Sequence, residues 1–235
     1  MKLPNPTVNY RDFRLSKINQ EEDRHLKYLL FWPALIARYI FVERIYPVEQ
    51  YFPVHCALDD VIPFCEAFII PYGCWYAIMI AMHLYTMLYD VPAFKRYSRY
   101  LLIAFSMSSL IFLLFPTCQN LRPAELPRDN ILCRVVEALY RVDTNTNVCP
   151  SEHVIGSVAV VAAAWNIPKL RSPGKMTLII TVAVLICLST LFLKQHSAVD
   201  VIAALPICAI AYWFCYGKEN LTRKKNDPQR QDNGK

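Results

Sequence analysis

Glycine is scarce in this chain, with five in 235 residues. That excludes collagen-like and glycine-rich low-complexity classes. None of the nine cysteines forms a Cys-x-x-Cys pair, so the usual zinc and dithiol spacings are missing. Cys74, Cys187, Cys208 and Cys215 fall inside apolar blocks, where cysteine behaves as a small hydrophobe. Cys56, Cys65, Cys118, Cys133 and Cys149 fall in or near two long loops, and a disulfide among them is left open by spacing alone. No apolar stretch starts near Met1. The first 28 residues are polar and charged, which excludes a cleavable signal peptide and leaves the first span as an anchor. The net charge is +6, but no basic cluster forms a nucleic-acid face, so nucleic acid is not expected as a partner.

What the chain does have is apolar sequence in long blocks: 55% hydrophobic residues, 13% aromatic, and a mean hydropathy of +0.24. A hydrocarbon core takes about 20 apolar residues as a helix. Six blocks qualify as predicted spans, at residues 27–46, 67–89, 100–116, 154–167, 176–193 and 197–216. The first is interrupted by Pro33 and Arg38, and the fourth is short unless it starts near Ser151. Strands are not expected within them, because unpaired edges cannot sit in lipid. The predicted fold is therefore an all-α, polytopic membrane bundle of six transmembrane helices. A polar tail occupies residues 1–28, the membrane domain 29–216, and a disordered basic tail 217–235.

Orientation follows from lysine and arginine. With the N-terminus inside, the two tails and the short loops at 90–99 and 166–175 hold 18 of the 25 basic side chains. That bias predicts both termini in the cytoplasm. Two long loops, 47–66 and 117–150, and a tight turn at 194–196 then lie outside.

Three polar clusters come to that external face. The first, "QNLRPAEL", carries Arg122, whose planar fork suits a phosphate, although a lone loop arginine is more often simply solvated. The second, "CPSEHV", carries Ser151 and His153. Ser151 reads as a helix N-cap, a place that also presents backbone N–H groups to an anion. His153 has the right ordinary pKa, about 6.5, for proton transfer near neutrality. The third, "FLKQHSAVD", carries Lys194, His196 and Asp200. His196 and Asp200 are four apart and share a helical face. A carboxylate a turn into a span is paired or functional by default, and one bonded to an imidazole nitrogen leaves the other free as a nucleophile.

The three motifs together, "LRP" at 121–123, "PSEH" at 150–153 and "STLFLKQHSAVD" at 189–200, resemble the type 2 phosphatidic acid phosphatase (PAP2) superfamily, whose fold is the six-helix PAP2/haloperoxidase type. The resemblance spans roughly residues 67–216. It implies a lipid phosphatase acting through a phosphohistidine, with no metal and no cofactor. His196 is then the nucleophile, Asp200 its orienting carboxylate, and His153 the acid and later the base. Ser151 and Arg122 are the implied phosphate ligands, and Lys194 is placed beside them as a replacement cation. The chain departs from the family pattern at Phe115 and Thr190, where the first motif has Lys and the third has Arg. Lys194, Arg128 and Arg141 are the candidates to replace them.

Asp143 and Asn147 are similar to the inositol phosphorylceramide synthase-like transferase branch. Three functions therefore stay open: hydrolysis of a lipid phosphate or pyrophosphate, transfer of a phospho-headgroup to a lipid hydroxyl, and a non-catalytic protein on the same fold. The expected partners are a lipid phosphate and the bilayer, with the plasma membrane as the expected location. The substrate and oligomeric state are not determined by sequence.

Overall fold

The computed structural model describes residues 6–217, apart from residues 9 and 12. Eight α-helices are found there: α1 (Phe31–Ile40), α2 (Ala57–Val61), α3 (Ile69–Tyr89), α4 (Val91–Leu114), α5 (Ile131–Val142), α6 (Glu152–Trp165), α7 (Pro173–Phe192) and α8 (Ala198–Tyr212). Two two-residue strands, β1 (Phe52–Pro53) and β2 (Thr117–Cys118), pair in parallel between the long loops. No strand occurs within a predicted span.

Among the described residues, four helical segments are long and apolar enough to cross a membrane: Glu66–Tyr89, Val91–Leu114, Pro173–Phe192 and Ala198–Gly217. The other two of the six predicted spans differ in informative ways. The first is a helical segment whose pitch changes twice, from 3-10 (Arg24–Leu30) through α1 to a π turn (Phe41–Ile45). Arg38 and Glu43 lie on it and break its apolar run. The fourth is α6, which has 14 residues; at 1.5 Å per residue it falls short of the roughly 30 Å hydrocarbon core.

The predicted loop at 90–99 is instead the start of α4. Asp90 ends α3, its amide donating to Thr86, and then caps α4 by accepting from the amide of Ala93 at 2.9 Å. Pro92 fits the first turn because its missing N–H has no intrahelical partner there. Lys95, Arg96 and Arg99 therefore lie on the first turns of a long helix. Basic charge at a helix end resembles a loop when only composition is read.

α6 is the centre of the bundle, packed by α3, α4, α7 and α8. Gly156, Ser157, Ala159 and Ala162–Ala164 are buried and keep its radius small, so four helices can close on it. The outer helices turn Ile70, Leu102, Leu178, Leu185, Ile202 and Leu205 outward. Such apolar exteriors match a lipid environment.

The N-terminal stretch is not free. The Thr7 amide donates to the carbonyl of Leu88, the Tyr10 hydroxyl to that of Met87, and buried His25 is bonded to Tyr10. This docks it on the end of α3 away from Ser151 and His196. Beyond Gly217 the predicted C-terminal tail lies outside the described residues.

Candidate active site

The tight turn after α7 is clamped from every side. Thr190 accepts on its carbonyl from the amides of Gln195 and His196. The Tyr140 hydroxyl donates to the Leu193 carbonyl at 2.6 Å, and the Gln119 amide donates to that of Lys194 at 2.9 Å. Lys194 adopts φ 53°, a left-handed backbone unusual outside glycine. Its ammonium turns back to the carbonyls of Asp59 and Ile62.

That turn delivers His196 to the start of α8. Asp200 accepts from the Ser197 amide at 2.9 Å as part of a capping box, and its Oδ2 lies 3.1 Å from His196 Nδ1. With the Asp200 oxygen as acceptor, Nδ1 carries the hydrogen and the Nε2 lone pair is free. A second carboxylate, Asp59 from α2, accepts from the Ser197 hydroxyl at 2.6 Å and the Ala198 amide at 2.8 Å. Burial alone would raise the Asp59 pKa. The bonds from Ser197, Ala198 and Cys56 outweigh it and hold the group below its ordinary value.

α6 brings the second histidine. The Ser151 amide donates to the Asp200 carbonyl at 3.0 Å, joining the starts of α6 and α8. Ser151 is the N-cap residue of α6, but its side chain makes no capping bond; its hydroxyl is buried without a partner. Cys149 sits against Asp200, and burial first, then that carboxylate, push its thiol up to about 12. His153 packs between Tyr72 and Trp75 of α3, each ring tilted against it and 4.4 Å away centre to centre. Its ring stands edge-on to that of His196 at 5.9 Å and 64°.

Both histidines line a cleft of about 80 Å³. Its other walls come from Arg38, Tyr39 and Glu43 of the first segment, Phe112 of α4, the loop residues Asp143, Thr144, Thr146, Asn147 and Val148, and Glu152 and Gln195. Glu43 holds that loop by accepting from Thr144, Thr146 and Asn147. Asn147 has φ 49°, a left-handed value that asparagine tolerates better than most residues.

Of the predicted site residues, the structure brings His153, His196 and Asp200 together, with Ser151 directly behind them. None of the predicted phosphate ligands, Arg122, Ser151 and Lys194, is among the residues lining the cleft, although Ser151 lies next to Asp200. Arg122 donates to the carbonyls of Tyr140, Asp143 and Thr144 and to the Gln195 side chain, stacked on Tyr140 at 4.5 Å. Burial lowers its pKa, with the Asp143 carboxylate opposing. Of the other candidates named by sequence, Arg128 is bidentate on Glu66 and Arg141 lies by Glu137, both away from the histidines. The cleft's arginine is Arg38, which the sequence left unexplained because nothing local to it points at the histidines. It reaches Glu152, the variable position of Pro-Ser-x-His, at 2.6 Å.

The family model of the PAP2 superfamily matches residues 97–223, from α4 through α8. Comparison with curated proteins and with solved structures returns no match.

Proposed function

The chain belongs to the PAP2 superfamily, and from that premise we propose that it is a membrane phosphatase for a lipid phosphate, working through His196 and His153. Members of the family are typically phosphatases. The observation that carries the reading is the pair of imidazoles 5.9 Å apart in one cleft, one of them backed by a buried carboxylate.

In this reading the His196 Nε2 lone pair attacks phosphorus. The bond from phosphorus to the ester oxygen breaks, and His153 gives a proton to the leaving alkoxide. Water then attacks the phosphohistidine, His153 takes its proton, and the P–N bond breaks to restore His196. Such a reaction needs positioning and charge stabilisation more than further covalent chemistry. The clamped turn supplies the positioning. Ser151 offers a hydroxyl at the start of α6 as a phosphate ligand. Arg122 and Lys194 serve the phosphate indirectly, by fastening Gln195 and the turn that carries His196. The bias of basic side chains toward the opposite end favours the cleft facing outward with both termini inside.

Transfer to an alcohol is the second reading. It is favoured by the wall of Glu43, Thr144, Thr146 and Asn147 beside the histidines, a surface able to hold an acceptor hydroxyl.

Purified protein in detergent, given phosphatidate or an isoprenoid pyrophosphate in the presence of EDTA, tests the proposal. Phosphate release is expected, and His196→Ala and His153→Ala each abolish it. Release that survives His196→Ala refutes the mechanism. Product analysis with added alcohols separates hydrolysis from transfer.

A further inference from the structure

The phosphate of this reaction needs a cation facing its oxygens. Phe115 and Thr190 supply none. Phe115 is exposed, and Thr190 is buried with its hydroxyl on the Cys187 carbonyl. Arg122 directs its terminal nitrogens to backbone carbonyls and the Gln195 side chain, and Lys194 its ammonium to the carbonyls of Asp59 and Ile62; the Arg122 Nε is unpartnered, but neither residue lines the cleft. Among the described residues, Arg38 is the lysine or arginine that lines the cleft with both histidines.

Its surroundings resemble a ligand site more than a closed ion pair. One terminal nitrogen donates to Glu152 at 2.6 Å and the other to the Ser109 hydroxyl at 3.2 Å. Its Nε is buried without a hydrogen-bond partner. Phe105 lies 5.9 Å beneath the guanidinium and limits its movement. The cleft's carboxylates, by contrast, are engaged. Glu43 accepts from three side chains, Asp143 from Tyr72 and Gln195, and Glu152 from Ser108 as well as Arg38. An acidic cleft would repel phosphate without this arginine. Planar, bidentate donation suits guanidinium better than ammonium.

We propose that Arg38 is the phosphate-binding cation of the cleft, and that Glu152 holds it in place until phosphate arrives. The assignment rests on the phosphatase reading for its context. It places the cation outside the residues matched by the family, 97–223, on the pitch-changing first segment. Glu152 directly precedes His153, so the arginine is held in register with the acid–base histidine.

The test uses the full chain in detergent with inorganic phosphate as the probe, read by the thermal unfolding midpoint, alongside KM and kcat for hydrolysis. Phosphate should raise the midpoint of the wild type and of His196→Ala. In Arg38→Gln the phosphate needed for the same rise should increase at least tenfold. The double variant Arg38→Gln/Glu152→Gln, which leaves no lone buried charge, should behave the same way and covers the case where the single variant fails to fold. Arg38→Lys should lie between, with KM raised more than kcat is lowered. Glu152→Gln should bind phosphate at least as tightly as wild type, because the amide oxygen can still accept from Arg38 and hold it in place while the competing negative charge is gone. Wild-type phosphate dependence in the double variant, loss of it in Glu152→Gln, or none in the wild type overturns the proposal. The phosphate measurement needs no turnover. Activity surviving in His196→Ala would therefore sink the histidine mechanism while Arg38 is still judged separately.

Discussion

Gly156→Ala is the substitution whose effect can be worked most closely from the structure. Gly156 is on α6, facing α3. A methyl group added there would sit 2.6 Å from Met79 Sδ, 2.6 Å from Trp75 Nε1 and 2.9 Å from Trp75 Cε2. Met79 is flexible and can yield. Trp75 is only 3% exposed, and its ring already touches His153 and Tyr76, so its movement is passed on to the histidine. Overpacking of this kind costs about 1–3 kcal/mol. The better helix propensity of alanine returns about 1 kcal/mol. The net destabilisation is then about 0–2 kcal/mol. The loss of activity should be larger, since misplacing a reacting group by about 1 Å can cost about a hundredfold.

The measurements are the unfolding midpoint in detergent and the rate of phosphate release. Gly73→Ala is the control. It lies on α3, and an added methyl there meets nothing within 4 Å. It should keep full activity and lose no stability. If Gly156→Ala matches it in both measurements, Trp75 does not hold His153 and the reasoning fails.

Three further outcomes are expected. Asp59→Asn should lower stability at neutral pH by about 2 kcal/mol, as expected for hydrogen bonds to a charged group. The native Asp59 pKa is depressed, so this contribution is complete above the ordinary carboxylate value of about 3.9 and is lost as pH falls through the native one. The gap between the two unfolding midpoints should therefore close below about pH 4; a gap that stays constant from pH 7 to pH 3 contradicts it. Glu43→Gln should loosen the loop it holds through Thr144, Thr146 and Asn147. Faster amide exchange across residues 144–148 would show this, and unchanged exchange would count against it. Cys149, with its thiol pushed up to about 12, should resist maleimide at pH 7.5 in the folded protein, and mass spectrometry would detect a modification that breaks this expectation.

Part of the site was legible because its chemistry is local. His196 and Asp200 are four residues apart on a helix start, and Ser151 and His153 flank another, so each pair is set by the chain's own repeat. The apolar blocks read as helices because an apolar run that can satisfy its own backbone hydrogen bonds is helical, and four of them are long enough to cross a membrane. Boundaries were less legible. Lys95, Arg96 and Arg99 suggested a loop, but Asp90 and Pro92 start a helix there, and basic side chains can extend from a helix end toward the headgroups. The fourth apolar block is short for a span already in the sequence, but composition does not reveal that its neighbours bury the 14-residue α6 on most sides.

Sequence alone thus determined a helical bundle with apolar exteriors, and it picked out the two histidines and the aspartate that the fold brings together. Only the tertiary structure decided which cation meets them. Arg122, Lys194 and Arg38 are equally charged on paper. A guanidinium or ammonium is directed by the acceptors within its reach. The loop carbonyls at 140–144 take Arg122, those of Asp59 and Ile62 take Lys194, and the first segment lays Arg38 against Glu152 beside the two imidazoles.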